Sequence, residues 1–190
     1  MLAQDLRNLI NLIESADRLD RATERRLYAA MNTLAEFSSS HMQSDRLDQA
    51  YEIVMQYLPD AQYTGVMYRG FDISPDVLSS ADLSNEIKKK MQSYQRQVLS
   101  WSQDPQVAQE FAAENGIGVV IQQRSTGIDT DNLYYEPTDF SVDGGFSGEE
   151  EVFARLDPSA TILGFVADDE DKLWPAADIA QFLNYLKQNQ

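Results

Sequence analysis

The segment QVLSWSQDPQVAQEFA (97–112) joins an apolar strand pattern to a helix pattern through a short polar turn. In its first half, Ser100 and Ser102 alternate with Trp101, so both hydroxyls lie on one face of a strand and the indole on the other. In its second half, the pair Asp104–Pro105 suits the N-cap and first turn of a helix. Three apolar residues then recur at helical spacing and are expected to face the core: Val107, Ala108 and Phe111.

Further strands are predicted on both sides of this segment, where short runs are rich in β-branched and aromatic residues. These runs are YTGVMYRGF (63–71), GVVIQQ (118–123), EVFARL (151–156) and ATILGFV (160–166). A helix is expected over about 79–95, and a closing helix from Pro175. The stretch 124–148 is rich in Gly, Asp, Ser and Thr and predicts a long irregular loop, a kind of segment that often carries function. The mixture of strands and helices predicts an α+β fold.

Residues 1 to about 60 are expected to form a helical segment that precedes a core over residues 61–190, within one compact domain. Apolar residues recur at helical spacing in three groups: Leu2, Leu6, Leu9, Ile10 and Ile13; Leu27, Met31 and Leu34; and Leu47, Tyr51, Val54 and Leu58. Pro59 is expected to end the third helix.

Composition excludes several kinds of chemistry. The chain has 190 residues, no cysteine and one histidine, His41, which lies in a polar stretch between two predicted helices. A disulfide framework, a thiolate nucleophile and a multi-histidine metal site are therefore excluded, and no metal is expected. The net charge of −16 opposes DNA binding, and it suits a soluble cytoplasmic protein or one attracted to a basic partner. Without a signal-peptide pattern or a long apolar run, no membrane association is expected.

Three short elements could carry chemistry. Arg69 at the end of a predicted strand can pair with a phosphate, and Gly70 lets the backbone approach a ligand closely. Ser100 and Ser102 form the second element. At strand spacing Glu149 and Glu151 share a face, where two carboxylates repel unless a cation or substrate hydroxyls lie between them. Each element alone also fits an ordinary surface: a strand-end arginine, two solvent-facing hydroxyls and a solvated acidic run.

Taken in order, the elements resemble the ADP-ribosyltransferases of the arginine–serine–glutamate class. Arg69 precedes Ser-x-Ser at 100–102, which precedes Glu-x-Glu at 149–151. The Ser-x-Ser strand also runs into a helix with a small residue and Phe, followed by an apolar strand, a long loop and Glu-x-Glu-Val. The chain looks most like the small mono-ADP-ribosyltransferases of T-even-type bacteriophages, which modify host proteins such as RNA polymerase. The resemblance covers about residues 61–166.

The resemblance implies a cleft between two small packed β-sheets that binds NAD as a co-substrate. Arg69 is expected to pair with the NAD phosphates and the Gly70 backbone to approach the nicotinamide. Ser100 is expected to orient Glu151, which binds the nicotinamide ribose, while Ser102 supports the cleft wall. Glu149 is expected to activate an arginine of a host protein as acceptor, because this class places a glutamate there for arginine acceptors.

Aromatic residues of the long loop complete the expected site, although each could equally belong to the core. Tyr134 and Tyr135 are candidates to stack on NAD, and Phe140 and Phe146 are candidates to contact the protein substrate. Trp101 departs from the family pattern, which has threonine or alanine between the serines. If Trp101 faces the core, the cleft is unaffected, whereas an indole in the cleft would obstruct NAD.

Three alternatives stay open at this point. The same fold could transfer ADP-ribose to water, as an NAD glycohydrolase, or to an RNA end. The acidic chain could bind a basic host surface without catalysis. A carboxylate glycosidase could use Glu149 and Glu151, but it leaves Arg69 and the serines without a role.

Overall fold

A computed structural model of the chain describes residues 19–40, 45–74, 77, 79–112, 117–135, 140–141, 150–167 and 172–189. The first predicted helix and His41 lie outside these residues. The described helices are α1 (Arg21–Ser40), α2 (Asp45–Tyr57), α3 (Ser80–Ser93), α4 (Pro105–Ala112) and α5 (Ile179–Asn189). Short 3-10 turns cover Pro59–Ala61 and Ala176–Asp178. The described strands are β1 (Gln62–Ile73), β2 (Val98–Ser102), β3 (Ile117–Asp129), β4 (Tyr134–Tyr135), β5 (Phe140–Ser141), β6 (Glu151–Arg155), β7 (Thr161–Ala167) and β8 (Trp174–Pro175).

The α+β class is confirmed, with six strands in one antiparallel sheet of order β1-β2-β6-β3-β7-β8. The longest ladder pairs β1 with β3 from Gln62↔Ile128 to Ile73↔Ile117. Because β1 also pairs with β2, β2 with β6, and β6 with the end of β3, these four strands form a closed circuit of hydrogen-bonded neighbours. The β1–β2 contact in this circuit is a single residue pair, Tyr68↔Ser102.

Strand β3 corrects one prediction. It continues through residues 124–129, where the polar composition predicted the start of a long loop. These residues pair with the first half of β1, and Gly127 lets the Phe153 carbonyl approach closely: a Cβ there would lie 2.6 Å from that oxygen. Long-range pairing therefore outweighs the local turn propensity of Ser125, Thr126 and Gly127.

Helices α1 and α2 share an apolar core with one face of the sheet. Their buried residues, including the predicted Leu27, Met31, Leu34, Leu47, Tyr51 and Val54, pack with Val98, Ile128 and Phe153. The Phe37 and Phe153 rings meet edge to face with centroids 5.2 Å apart. Arg155 adds ion pairs to Asp48 at 3.1 Å and Glu52 at 2.9 Å. The helical segment therefore stabilises β6 through apolar contacts and ion pairs on one face of the sheet.

Helix α4 packs directly on β1, and this contact explains Gly70. A Cβ at Gly70 would lie 2.0 Å from the Ala108 carbonyl oxygen and 2.7 Å from the Ala112 nitrogen. Only a residue without a side chain permits this approach. The sequence motif predicts that Gly70 allows close approach of a ligand, whereas the structure shows that close approach of a helix requires glycine here.

We expect Gly70→Ala to lower the free energy of unfolding by about 3 kcal/mol, because the added methyl group forces α4 away from the sheet. The matched control is Gly65→Ala on the same strand, where the added Cβ meets only the movable end of the Tyr63 side chain. Its cost is expected near about 1 kcal/mol, the value of the Tyr63 Oη–Val66 O hydrogen bond. Urea denaturation of both variants measures the difference, and equal losses would contradict this packing argument.

Burial raises the pKa of the Tyr51 phenol above its ordinary value of 10.0; the Arg155 charge opposes this rise, and the Glu52 charge adds to it by a smaller amount. The unfolded chain loses this proton first as the pH rises. The stability that the neutral phenol contributes is therefore complete below pH 10.0 and is lost as the pH rises toward the folded-state pKa. We expect Tyr51→Phe to flatten the decline in unfolding free energy above about pH 10. Tyr28→Phe, on a ring that is 43% exposed, is the control, and an equal flattening there would contradict the assignment.

Candidate functional site

A cavity of about 410 Å³ lies where β1 and β2 separate. Strands β1 and β2, the first residue of β6, and helices α3 and α4 form its walls. The structure brings five of the predicted site residues together in its lining: Arg69, Gly70, Ser100, Ser102 and Glu151. Residues distant in sequence therefore meet in one cavity, as the ordered motifs predict.

Ser100 and Glu151 are joined by a direct hydrogen bond. The Ser100 hydroxyl donates to Glu151 Oε1 over 2.5 Å. The strand register creates this contact, because Ser102 lies opposite Glu151 and Ser100 is two residues further along the same face of β2. Glu151 is only 6% exposed, so its carboxylate needs such partners to offset the loss of water.

Arg69 bridges the gap between the two separating strands. Its guanidinium Nη1 donates to the main-chain carbonyl of Ser100. Its Cζ lies 5.1 Å from the ring centroid of Tyr94, which follows the last residue of α3. Among the described residues, Arg69 Nε is buried and has no hydrogen-bond partner. The guanidinium is thus held in place while one of its N–H donors remains unused.

Trp101 faces the core, so the departure from the family pattern does not obstruct the cavity with an indole. Its side chain is 2% exposed, and Nε1 donates to the Ala154 carbonyl over 3.1 Å. This bond ties β2 to β6 diagonally across the pair Trp101↔Val152. The tryptophan therefore adds a fixed connection between the strands that carry Ser100 and Glu151.

The Ser102 hydroxyl helps to start α4. Ser102 Oγ accepts from the Asp104 N–H over 2.9 Å, and Asp104 Oδ1 accepts from the Gln106 N–H over 2.7 Å. The second bond is the N-cap that the sequence predicts. The Ser102 hydroxyl therefore belongs to the turn between β2 and α4, and its expected role in the cleft wall stays a prediction.

The main chain at Glu151 is fixed from two sides. Both the N–H and the hydroxyl of Thr130 donate to the Glu151 carbonyl, each over 3.1 Å. The Gln103 N–H donates to the Glu150 carbonyl over 3.1 Å. Sequence reasoning missed Thr130 because it placed this residue in an irregular loop, and no local pattern indicates its partner.

Glu150, directly before β6, has an unusual backbone conformation. Its φ of 47° is left-handed, and β6 begins only at Glu151. The prediction that Glu149 and Glu151 share a strand face therefore stays a prediction. Glu149 itself lies outside the described residues.

Phe111 also differs from its prediction. It was expected to face the core, but it is 44% exposed and lines the cavity from α4, whereas Ala108 is buried as predicted. Lys90 and Tyr94 line the opposite wall and were not singled out from the sequence. Tyr94 directly follows α3, and the i, i+4 spacing of the two residues is the signal that could have grouped them.

The remaining predicted aromatics are only partly described. Tyr134 and Tyr135 form β4, which pairs antiparallel with β5 through Tyr134↔Ser141 and Tyr135↔Phe140. Phe146 lies outside the described residues. The proposed contacts of these four residues with NAD or with a protein substrate stay predictions.

Within the described ranges, no cluster of three or more His, Cys, Asp or Glu side chains could hold a metal ion. None of the helices in those ranges has the length and apolarity that crossing a bilayer requires. Comparison of the chain with protein families, with curated proteins and with solved structures gives no match.

Proposed function

We propose that the protein is a mono-ADP-ribosyltransferase that transfers ADP-ribose from NAD to arginine side chains of other proteins and releases nicotinamide. One observation carries this proposal: two hydrogen bonds connect Arg69, Ser100 and Glu151 in the lining of one cavity. Such a transfer needs a cation that binds the NAD phosphates and a carboxylate that stabilises positive charge on the ribose. Arg69 and Glu151 are the proposed cation and carboxylate.

The strand pairing supports an ADP-ribosyltransferase fold. In that interpretation, the pair β2–β6 and the set β1–β3–β7–β8 correspond to the two small sheets of the family. The single pair Tyr68↔Ser102 joins them on one side of the circuit, and the ends of β3 and β6 join them on the other. The cavity lies in the resulting split, where the family binds NAD.

The residues present fit NAD as co-substrate. Arg69, whose buried Nε has no hydrogen-bond partner among the described residues, and Lys90 both line the cavity, and both side chains can pair with a phosphate. The cavity volume of about 410 Å³ is typical of small-molecule sites. On a chain with a net charge of −16, two cations directed into one cavity favour an anionic ligand.

The proposed role of Glu151 follows from the chemistry of the transfer. When the bond between nicotinamide and ribose breaks, positive charge develops on the ribose and nicotinamide leaves as a neutral group. Glu151 brings a largely buried carboxylate to this cavity, where its effect on developing positive charge is large. Ser100 orients the Glu151 carboxylate, which is proposed to accept from a ribose hydroxyl. No acid is needed for the leaving group, which agrees with a chain that has one histidine.

Arginine is the proposed acceptor because Glu149 occupies the position that this class uses for guanidinium substrates. A guanidinium has a pKa above about 12, so a carboxylate must accept its proton as the new carbon–nitrogen bond forms. By the same resemblance, the targets are proteins of a bacterial host, and the enzyme acts in the host cytoplasm. RNA polymerase and other parts of the transcription or translation machinery are the first candidates.

We expect Glu151→Gln to reduce transfer of ADP-ribose by at least about 100-fold, because the amide lacks the charge that stabilises the ribose in the transition state. Biotin-labelled NAD is incubated with the purified protein and a bacterial lysate, and labelled bands and released nicotinamide are quantified. Glu150→Gln is the matched control, since it removes the same charge from the exposed neighbouring residue. Unchanged labelling by the Glu151 variant would contradict the proposal.

The same assay separates the alternatives. Nicotinamide release without labelling of protein or RNA would indicate water as the acceptor, as in an NAD glycohydrolase. Label on RNA alone would indicate an RNA acceptor. Neither labelling nor NAD consumption would leave the acidic chain as a non-catalytic protein that binds a basic host surface.

We expect Glu149→Gln to impair transfer to arginine strongly while NAD cleavage continues. Agmatine, which carries the guanidinium of an arginine side chain, is supplied as acceptor, and the adduct and free ADP-ribose are measured by mass spectrometry. Loss of the carboxylate that accepts the guanidinium proton is expected to lower adduct formation by about 100-fold. Equal loss of adduct formation and NAD cleavage would instead place Glu149 in the cleavage step.

A further inference from the structure

Lys90, Tyr94 and Arg69 form a group at the α3 side of the cavity. Lys90 Nζ lies 5.8 Å and Arg69 Cζ lies 5.1 Å from the centroid of the same Tyr94 ring. The ring is itself fixed, because it meets Phe71 edge to face at 5.8 Å, and the Tyr94 N–H bonds to the Lys90 carbonyl. Two cations from different elements therefore converge on one rigid aromatic side chain.

An anion bound beside the Tyr94 ring would interact favourably with both cations. Opposite charges attract more strongly in a partly buried site than in bulk water. In the part of the chain that the structure describes, neither Lys90 nor Arg69 forms an ion pair. The carboxylates in the lining are Asp72 and Glu151, and Glu151 is engaged by Ser100.

Lys90 differs from its neighbours in the run Lys88-Lys89-Lys90. Lys88 and Lys89 are exposed, and Lys89 pairs with Glu86 on the helix surface at 2.5 Å. Lys90 is half-buried, and it is the lysine of the three that lines the cavity. A lysine that served only solubility would be expected on the exposed face of the helix, as Lys88 and Lys89 are, and not in the lining of the cavity.

We propose that Lys90 and Arg69, with Tyr94 between helix and strand, form a diphosphate subsite with Lys90 as the second phosphate anchor. This inference rests on the proposed function only in naming NAD as the natural ligand; the subsite itself accepts the diphosphate of a nucleotide. The subsite fixes the orientation in which NAD binds: its diphosphate lies against α3, and the ribose that reacts lies against Ser100 and Glu151.

The test is equilibrium binding of ADP, which contains the diphosphate but no nicotinamide bond and so cannot react. Isothermal titration compares wild type, Lys90→Gln, Lys90→Arg and the charge-matched controls Lys88→Gln and Lys89→Gln. We expect Lys90→Gln to weaken ADP binding by about tenfold, Lys90→Arg to retain most of it, and both controls to bind as wild type. Adenosine binding, which involves no phosphate, is expected to be unchanged in all variants.

Salt adds a second readout. The affinity of wild type for ADP is expected to fall as NaCl rises, and the dependence should be weaker for Lys90→Gln because one screened charge is gone. Equal affinities for ADP in Lys90→Gln and Lys89→Gln would overturn the subsite, as would an absence of ADP and NAD binding by wild type. Thermal unfolding of each variant checks that the fold is retained.

The outcome is separable from that of the proposed function. Weakened ADP binding in Lys90→Gln together with no ADP-ribose transfer by wild type would support the subsite and reject the transferase. Active transfer by wild type together with unaltered ADP binding in Lys90→Gln would support the transferase and reject the subsite.

Discussion

The candidate site depends on one arginine that spans the place where two strands part. β1 and β2 share a single residue pair, and beyond it the Arg69 guanidinium binds the Ser100 carbonyl. The side chain thus satisfies a backbone acceptor at the split and leaves space for a cavity beside it. A small residue at position 69 would leave that carbonyl unpaired, and an unpaired buried carbonyl costs free energy comparable to a lost hydrogen bond. The geometry of Ser100 and Glu151 follows from this arrangement.

The surrounding structure holds the cavity walls with contacts that do not themselves touch a ligand. Trp101 connects β2 to β6, and the two bonds from Thr130 fix the Glu151 carbonyl. Gly70 lets α4 lie directly on β1. Rigid supports of this kind restrict the carboxylate and the guanidinium to one geometry, which is what electrostatic stabilisation of a developing charge requires.

The sequence predicted the parts of this fold that local patterns determine. Helical spacing located α1 and α2, and strand patterns located β1, β2, β6 and β7 within a few residues. The ordered motifs predicted that Arg69, Ser100 and Glu151 meet. What could not be predicted depended on distant partners: residues 124–129 became strand because β1 lies beside them, and Phe111 turned outward because Ala108 and Ala112 occupy the contact with Gly70. Lys90 gained its position from the packing of α3, which no local pattern specifies.

The shared core of α1, α2 and β6 has a consequence for how the chain unfolds. Phe153 and Val98 are completely buried, and both belong to the core that contains the helices. Separating the helices from the sheet would expose apolar side chains to water within two residues of Glu151. The free-energy cost would be similar to that of losing this shared core altogether. The helical segment and the sheet are therefore one cooperative unit rather than an appendage and a catalytic module. A partner that displaced the helices would therefore also disturb the Glu151 carboxylate, because the helices pack against β6 and Glu151 is the first residue of that strand.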